Sequence, residues 1–299
     1  MILLTMIIST LGAWACDLCG YGNSGNYVGI LPEFQKNITG IRYRQNSFKT
    51  HIGQNNSETY LTRKESYTTM EMWGSIRVRK NLQLLFGLPY QSNSYSNKSG
   101  KSQMDGLGDI NFSGLYTLYQ MNKLTEHNRA FYQMIHLTGG IKLPTGKYTS
   151  TGDYSSGNLF SIGTGSLDVN AGFIYEMKIQ RTGFNLGMNY KLNNANSDLY
   201  RYGNKLQGSF QLYRKIDLSD KITFSPNFGL SAEKNKKDIH NRFEVDNSGG
   251  YVANASFGTE LKVNRFLLGF NKQLPFRQSI AGNTIYAYSR NMFHLSFTY

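Results

Sequence analysis

The feature that most constrains the fold is an alternation of apolar and polar residues that recurs from residue 38 to residue 299. In the last segment, Phe293, Leu295 and Phe297 occupy one face, and the polar residues between them occupy the other. A period of two residues is that of a β-strand with two unlike faces. The pattern therefore predicts an all-β chain in which most strands separate an apolar environment from a polar one.

About twelve segments carry this alternation, and their number is even, as in single-chain bacterial outer-membrane barrels. They span residues 38–50, 58–79, 81–92, 106–120, 130–144, 165–178, 181–193, 202–214, 219–233, 249–262, 265–275 and 288–299.

The connections between these segments differ in length in a regular way. Short breaks lie at 80–81, 179–180, 215–218 and 263–264, a middling one lies at 121–129, and long polar stretches lie at 51–57, 93–105, 145–164, 194–201, 234–248 and 276–287. Short periplasmic turns that alternate with longer extracellular loops are typical of membrane barrels. A soluble β-sandwich, the alternative with the same strand pattern, has no reason to sort its loops by length.

These observations predict a transmembrane antiparallel β-barrel over residues 38–299, with both ends in the periplasm of a Gram-negative bacterium. The aromatic residue that ends the last strand, Tyr299, resembles the assembly signal of bacterial outer-membrane proteins. We therefore expect outer-membrane lipid and the barrel assembly machinery as partners. The sequence does not predict an oligomeric state.

Composition supports an exported barrel. Residues 1–15 form an apolar run that is too short to span a bilayer and ends in Ala-Trp-Ala, which predicts a signal peptide. The net charge of +13 is typical of some nucleic-acid-binding proteins, but an exported barrel carries such charge in its lumen, turns and loops. We expect no nucleic-acid partner.

Residues 16–37 precede the first strand and are rich in Gly and Asn, so they form either a short plug in the lumen or a periplasmic tail. Cys16 and Cys19 lie here in a C-x-x-C spacing. Three interpretations remain open: a disulfide in the oxidising periplasm, copper or zinc binding with further ligands, and lipidation of Cys16. The sequence predicts no resident cofactor.

Three stretches rich in Gly stand out between residues 106 and 168. They are Gly-Leu-Gly-Asp-Ile at 106–110, Gly-Ile-Lys-Leu-Pro-Thr-Gly at 140–146 and Gly-Thr-Gly-Ser-Leu-Asp at 163–168, and their principal residues are Gly106, Gly108, Asp109, Pro144, Gly146, Gly163, Gly165 and Asp168. Read from the residues alone, the glycines and Pro144 shape strand ends. Asp109 and Asp168 then either cap loops at the outer rim or contact a solute, and we favour capping.

In this order and spacing, the three stretches resemble the outer-membrane proteins associated with meta-pathway phenol degradation, which are similar to the long-chain fatty-acid transporter barrels. The resemblance covers roughly residues 81–299. It implies a barrel that passes small, often hydrophobic, compounds across the outer membrane. It does not identify the compound.

The strand alternation also predicts which side chains line the lumen. The charged and titratable residues on that face are Arg42, Arg44, Glu71, Arg77, His136, Lys142, Glu176, Lys191, Glu260 and His294, with further lysines at 178, 205 and 262. A basic lumen attracts anionic solutes, whereas charges near the periplasmic rim are simply solvated. Arg42, Arg44 and Glu71 alternatively form a network across the barrel that closes it.

The leading functional hypothesis is an outer-membrane channel or transporter for small hydrophobic or anionic solutes, without enzymatic activity. A metal-handling or redox-linked barrel that uses the C-x-x-C pair is one alternative. The other is an outer-membrane lipid hydrolase, suggested by His294 and Ser296 on one face of the last strand. A Ser–His pair needs hydrogen-bond contact and a third group that orients the histidine, and neither is visible in the sequence.

Overall fold

The computed structural model describes residues 36–53, 57–98, 100–124, 130–149 and 160–299. Twelve antiparallel strands form the wall of a barrel, and each corresponds to one predicted segment. They are β1 Ile38–Thr50, β2 Arg63–Arg79, β3 Leu82–Asn97, β4 Asn111–Leu124, β5 Ala130–Lys142, β6 Asp168–Ile179, β7 Thr182–Leu192, β8 Lys205–Arg214, β9 Ile222–Asn235, β10 Gly250–Val263, β11 Phe266–Ile280 and β12 Tyr286–Thr298.

The barrel is closed because its first and last strands pair with each other. Ile38 of β1 lies opposite Thr298 of β12, and the pairing continues to Lys49 opposite Tyr286. Every other strand pairs with its neighbours in sequence order. Lipid offers no hydrogen bonds to a backbone, so a spanning sheet is stable only when it has no free edge. The predicted antiparallel barrel of about twelve strands is confirmed.

Some strands continue beyond the predicted segments. Residues Gly100–Leu107 pair with the C-terminal half of β3, whereas β4 pairs with the N-terminal half of β3. Residues Gly100–Leu107 and β4 therefore form one interrupted strand. The second predicted segment begins late, at Arg63 instead of residue 58, and β11 reaches Ile280 instead of residue 275. Residues Ile216–Ser219 add a short pairing to β9.

The two faces of the wall differ in chemistry as the alternation requires. Large apolar side chains remain exposed on the outer face, among them Met188, Leu230, Phe257, Leu268 and Phe293. Buried Asn, Gln, Ser and charged side chains occupy the inner face. An apolar outer band and a polar interior are the reverse of a soluble domain and suit a barrel surrounded by lipid. Among the described residues, no helix is long and apolar enough to cross a membrane.

The two ends of the barrel also differ. Two-residue turns at 80–81, 180–181 and 264–265 connect strands at one end. The described connections at the other end are longer, and two of them contribute a small three-stranded sheet of Tyr200–Arg201, Ile239–His240 and Phe243–Glu244. Short turns identify the periplasmic end and long loops the extracellular end of a bacterial outer-membrane barrel. The architecture is that of a β-barrel of the bacterial outer membrane.

Several expectations lie outside the described residues. The proposed signal peptide at 1–15 and nearly all of the segment at 16–37, including Cys16 and Cys19, are among them. Whether residues 16–37 enter the lumen therefore stays a prediction.

Replacing Leu230 on the outer face with Arg is expected to destabilise the barrel in lipid. Leu230 is 45% exposed and lies between Gly229 and Ser231 of β9. A cation on the lipid face costs about 2–4 kcal/mol near the bilayer midplane. The measurement is reversible unfolding in phospholipid vesicles, with Leu230→Ala as the control for lost apolar area. An equal loss in the two variants would mean that residue 230 does not face lipid.

Candidate functional site in the lumen

The three glycine-rich stretches meet at the extracellular rim, although they are far apart in sequence. Asp109 is the centre of this contact. Its Oδ1 accepts a hydrogen bond from the backbone N–H of Gly146 at 3.0 Å, and its Oδ2 accepts one from the N–H of Thr164 at 3.0 Å. Thr145 Oγ1 donates to the carbonyl of Gly108 at 3.0 Å. Asp109 therefore binds both ends of the connection between β5 and β6, and it is only 8% exposed.

Asp168 plays a similar part on the next strand. Its Oδ1 accepts hydrogen bonds from Ser166 Oγ at 2.9 Å and from the backbone N–H of Asn194 at 3.1 Å. Its Oδ2 lies 2.7 Å from Lys142 Nζ and 3.1 Å from Lys191 Nζ. Since Lys142 also contacts Asp109 at 2.9 Å, two carboxylates and two ammonium groups form one neutral network at the rim.

Gly146 and Gly163 allow this rim to close. Their backbones touch, and a Cβ atom on Gly163 would lie 2.8 Å from the Cα of Gly146 and collide with its carbonyl oxygen. Gly165 has φ of +68°, a conformation that favours glycine. Pro144 lies just after β5, where it leaves no ladder bond unmade. Gly106 has no such requirement, because its nearest neighbour would be 3.7 Å from an added Cβ.

Below the rim, two groups of charges form what we call the cationic cluster, which consists of Arg42, Arg44, Glu71, Lys205, Glu233 and Arg290. Glu71 accepts from Arg42 Nε at 2.9 Å and lies 3.4 Å from Arg44. Glu233 lies 2.8 Å from Lys205 Nζ and also pairs with Arg290. Each carboxylate thus has two cations, and the six side chains carry a net charge of +2.

The cationic cluster crosses the lumen in one place and follows the wall in another. Arg42 and Glu71 lie opposite each other on adjacent strands, β1 and β2, so their ion pair runs along the wall. This pair alone does not cross the lumen, and closure of the barrel by a network of Arg42, Arg44 and Glu71 stays a prediction. Glu233 of β9 and Arg290 of β12 are separated by two intervening strands, so it is their ion pair that reaches across the interior.

The lumen face holds the remaining predicted residues in separate places. His136 is buried and its Nδ1 lies 3.1 Å from Thr117 Oγ1. Glu176 accepts a hydrogen bond from Tyr213 OH at 2.9 Å. Arg77 is exposed at the periplasmic mouth, because β2 continues past the narrow part of the lumen.

Glu260, His294 and Ser296 are close neighbours near the periplasmic half of the lumen. His294 Nδ1 lies 3.3 Å from Ser296 Oγ, and its Nε2 lies 3.9 Å from Glu260 Oε1. The order of serine, histidine and acid invites comparison with a hydrolase. Ser296 is however only 2% exposed, and the ring of Trp73 packs edge-on against His294 at 6.2 Å. A buried hydroxyl is not accessible to the ester of a lipid outside the barrel.

A cavity of about 190 Å³ lies in the lumen beside Arg42 and Glu71. Amide and hydroxyl side chains from β6 to β8 form one part of its wall, and Trp73, Leu85 and Leu115 form an apolar part. Inward-facing glycines keep this space open: a Cβ on Gly87 would collide with Glu71, whose side chain lies flat against the wall there. The alternation predicted the polar lining but not these glycine recesses.

An apolar cluster fills the lumen toward the extracellular end. Its members are Phe48, Tyr67, Val252, Ile280, Ala281, Ile285 and Ala287. The alternation alone does not predict this cluster, although Phe48 and Tyr67 share the parity of neighbouring lumen residues. The turn that contains Ala281 also closes over this end, and Thr284 accepts a backbone hydrogen bond from Ile52 at 3.1 Å. In the adjacent loop, burial and the nearby Arg63 lower the pKa of His51 to about 4.

Within the part of the chain that the structure describes, no group of three or more His, Cys, Asp or Glu side chains is arranged to hold a metal ion. The cysteines named as candidate metal ligands are not among those residues.

Comparison with known structures agrees with the fold. The chain is similar to an outer-membrane channel from Pseudomonas putida F1, with a TM-score of 0.63 and 15% sequence identity over 92% of this chain and 98% of that one. It is less similar to the β-domain of the Bordetella autotransporter BrkA, with a TM-score of 0.47 and 8% identity over 88% and 100% of the two chains. No family model and no curated protein sequence matches the chain.

Replacing Gly163 with Ala is expected to loosen the extracellular rim. The added methyl group collides with the backbone of Gly146, so one end of the connection between β5 and β6 must move, at a cost of about 1–3 kcal/mol. Denaturant unfolding of the reconstituted barrel measures this loss. Gly106→Ala is the matched control, since its Cβ meets nothing closer than 3.7 Å. If both variants retained full stability, the backbone contact would not hold the rim together.

Proposed function

We propose that this protein is an outer-membrane channel for small organic anions. The observation that carries the proposal is the lumen itself, which combines a cavity of about 190 Å³ with the cationic cluster and an amide-rich wall. Sites for drug-sized ligands are typically about 300–1,000 Å³, so this cavity suits smaller solutes. The fold shared with the channel from Pseudomonas putida F1 is compatible with this role.

The charge of the lumen favours anions over cations. Glu71 and Glu233 each have two cationic partners, so one cation of each set remains in excess over the carboxylates. A low-dielectric wall focuses the field of such charges into the lumen and raises the local concentration of anions.

The wall beside the cluster also offers an apolar surface. The guanidinium of Arg42 lies over the ring of Trp73, 5.0 Å from the ring centre, and Leu85 and Leu115 line the same cavity. A solute with one acidic group and a small apolar body fits both surfaces. The resemblance to the proteins associated with meta-pathway phenol degradation supports solutes of this size, and the apolar cluster at the extracellular end limits passage to small ones.

Removing the two excess cations, Arg44 and Lys205, is expected to reduce the preference for anions without leaving a buried carboxylate unpaired. In Arg44→Gln with Lys205→Gln, Glu71 retains Arg42 and Glu233 retains Arg290. The reversal potential across a planar bilayer in a KCl gradient gives the chloride-to-potassium permeability ratio, which we expect to fall about tenfold, equivalent to ~1.4 kcal/mol. Uptake of benzoate into liposomes is expected to fall in parallel.

The matched control is Lys64→Gln with Lys101→Gln, which removes the same charge from exposed positions near the extracellular end. We expect this variant to retain most of the anion preference of the unaltered protein, because solvent screens exposed charges. A barrel that conducts neither ion and takes up no benzoate would contradict the channel proposal. An equal change in both variants would contradict selectivity by the cationic cluster.

A further inference from the structure

A polar cleft opens at the periplasmic rim, outside the lumen cavity. Its volume is about 570 Å³, and Lys36, Asn37, Arg77, Arg265 and Thr298 are among its lining residues. The cleft lies where β1 meets β12 and where the β10–β11 turn approaches the same edge. Backbone hydrogen bonds fix this corner, since the N–H of Thr298 donates to the carbonyl of Arg265 at 2.8 Å.

The two arginines of the cleft have charges available to a ligand. Among the described residues, neither the Arg77 nor the Arg265 side chain is part of an ion pair, and both residues are exposed. The backbone N–H of Arg77 donates to Asn37 Oδ1 at 2.8 Å, which holds the arginine's main chain at the mouth of the cleft. Guanidinium groups bind phosphate through paired, charge-assisted hydrogen bonds.

An aromatic surface on the lipid side adjoins this cleft. Phe266 and Phe297 pack with ring centres 5.3 Å apart, and Phe297 stacks on Tyr299 at 6.3 Å and 20°. Phe266 is 53% exposed and Tyr299 is 56% exposed, while Leu268 and Leu295 extend the apolar surface toward the membrane interior. Tyr299 lines the cleft as well, so the aromatic surface and the basic cleft are continuous. A phospholipid is complementary to this arrangement, because its phosphate group lies beside its acyl chains.

The rest of the periplasmic rim has the same sign of charge. The two-residue turns at 80–81, 180–181 and 264–265 each carry a cation, at Lys80, Arg181 and Arg265, and Arg181 forms an ion pair with Asp217. Exposed Lys123, Arg214 and Lys221 lie at the ends of other strands, and the exposed acids at this rim in the described chain are Asp217 and Asp220. Basic residues beside a membrane attract anionic lipid. The cleft is the place where these charges also have a shaped site.

We propose that the cleft of Arg77 and Arg265 binds the phosphate of an anionic phospholipid from the periplasmic leaflet, with an acyl chain along Phe266 and Phe297. This interaction is separate from solute transport and does not depend on the proposed function. It anchors the closing strand pair, β1 with β12, to the lipid.

Native mass spectrometry of the full-length protein in detergent tests the proposal, with phosphatidylglycerol as the probe. For Arg77→Gln with Arg265→Gln, we expect phosphatidylglycerol to bind about tenfold more weakly. The matched control is Lys80→Gln with Arg214→Gln, which removes the same charge from exposed positions at the same rim but outside the cleft, and we expect it to bind nearly as the unaltered protein does. Equal weakening in both variants would overturn a specific site.

Three further measurements identify what the cleft recognises. Soluble glycerol 3-phosphate supplies the phosphate without acyl chains, and equally strong binding of it would overturn a lipid site. Phe266→Ser is expected to weaken the binding of phosphatidylglycerol and to leave the binding of glycerol 3-phosphate unchanged. Arg77→Lys with Arg265→Lys keeps the charge and serves as the test if the glutamine variant fails to fold. We expect this variant to bind phosphatidylglycerol with intermediate affinity, because ammonium groups do not form the paired hydrogen bonds. Unchanged affinity in the lysine variant would overturn recognition by guanidinium geometry.

Discussion

The hydrogen-bond requirement of a backbone in lipid governs the rest of this structure. Because hydrocarbon provides no donors or acceptors, each strand must pair along both edges, and the pairing of β1 with β12 satisfies the last two. Closure then divides every strand into a lipid face and a lumen face. The polar side chains are consequently gathered into one narrow interior, where carboxylates, amides and cations must satisfy one another.

That crowding explains the arrangement of the charges. A buried carboxylate with one partner would leave acceptor positions unsatisfied, and Glu71, Asp168 and Glu233 each have two cationic partners. At the rim, Asp109 shares Lys142 and the network is neutral. Deeper in the lumen the cationic cluster has only two carboxylates, Glu71 and Glu233, for four cations, and an excess of positive charge remains. The same rule of pairing therefore gives a neutral network at the rim and a positively charged one deeper in the lumen.

Much of the fold was predictable because its main determinant is periodic. The alternation of Phe293, Leu295 and Phe297 with their polar neighbours identifies faces, and the sorted loop lengths identify ends. The sites depend on contacts between distant strands, which no period reveals. Glu233 has the parity of a lumen residue, but its pairing with Arg290 depends on barrel diameter and strand tilt. Arg77 also has lumen parity, and only the length of β2 places it at the periplasmic mouth.

The contact between Gly146 and Gly163 bears on how much the connection between β5 and β6 can change in length. It brings together two positions near the ends of the chain segment that connects these strands. The entropic cost of closing a loop rises only slowly with its length. A change in the number of residues between these two glycines is therefore expected to cost the barrel little stability.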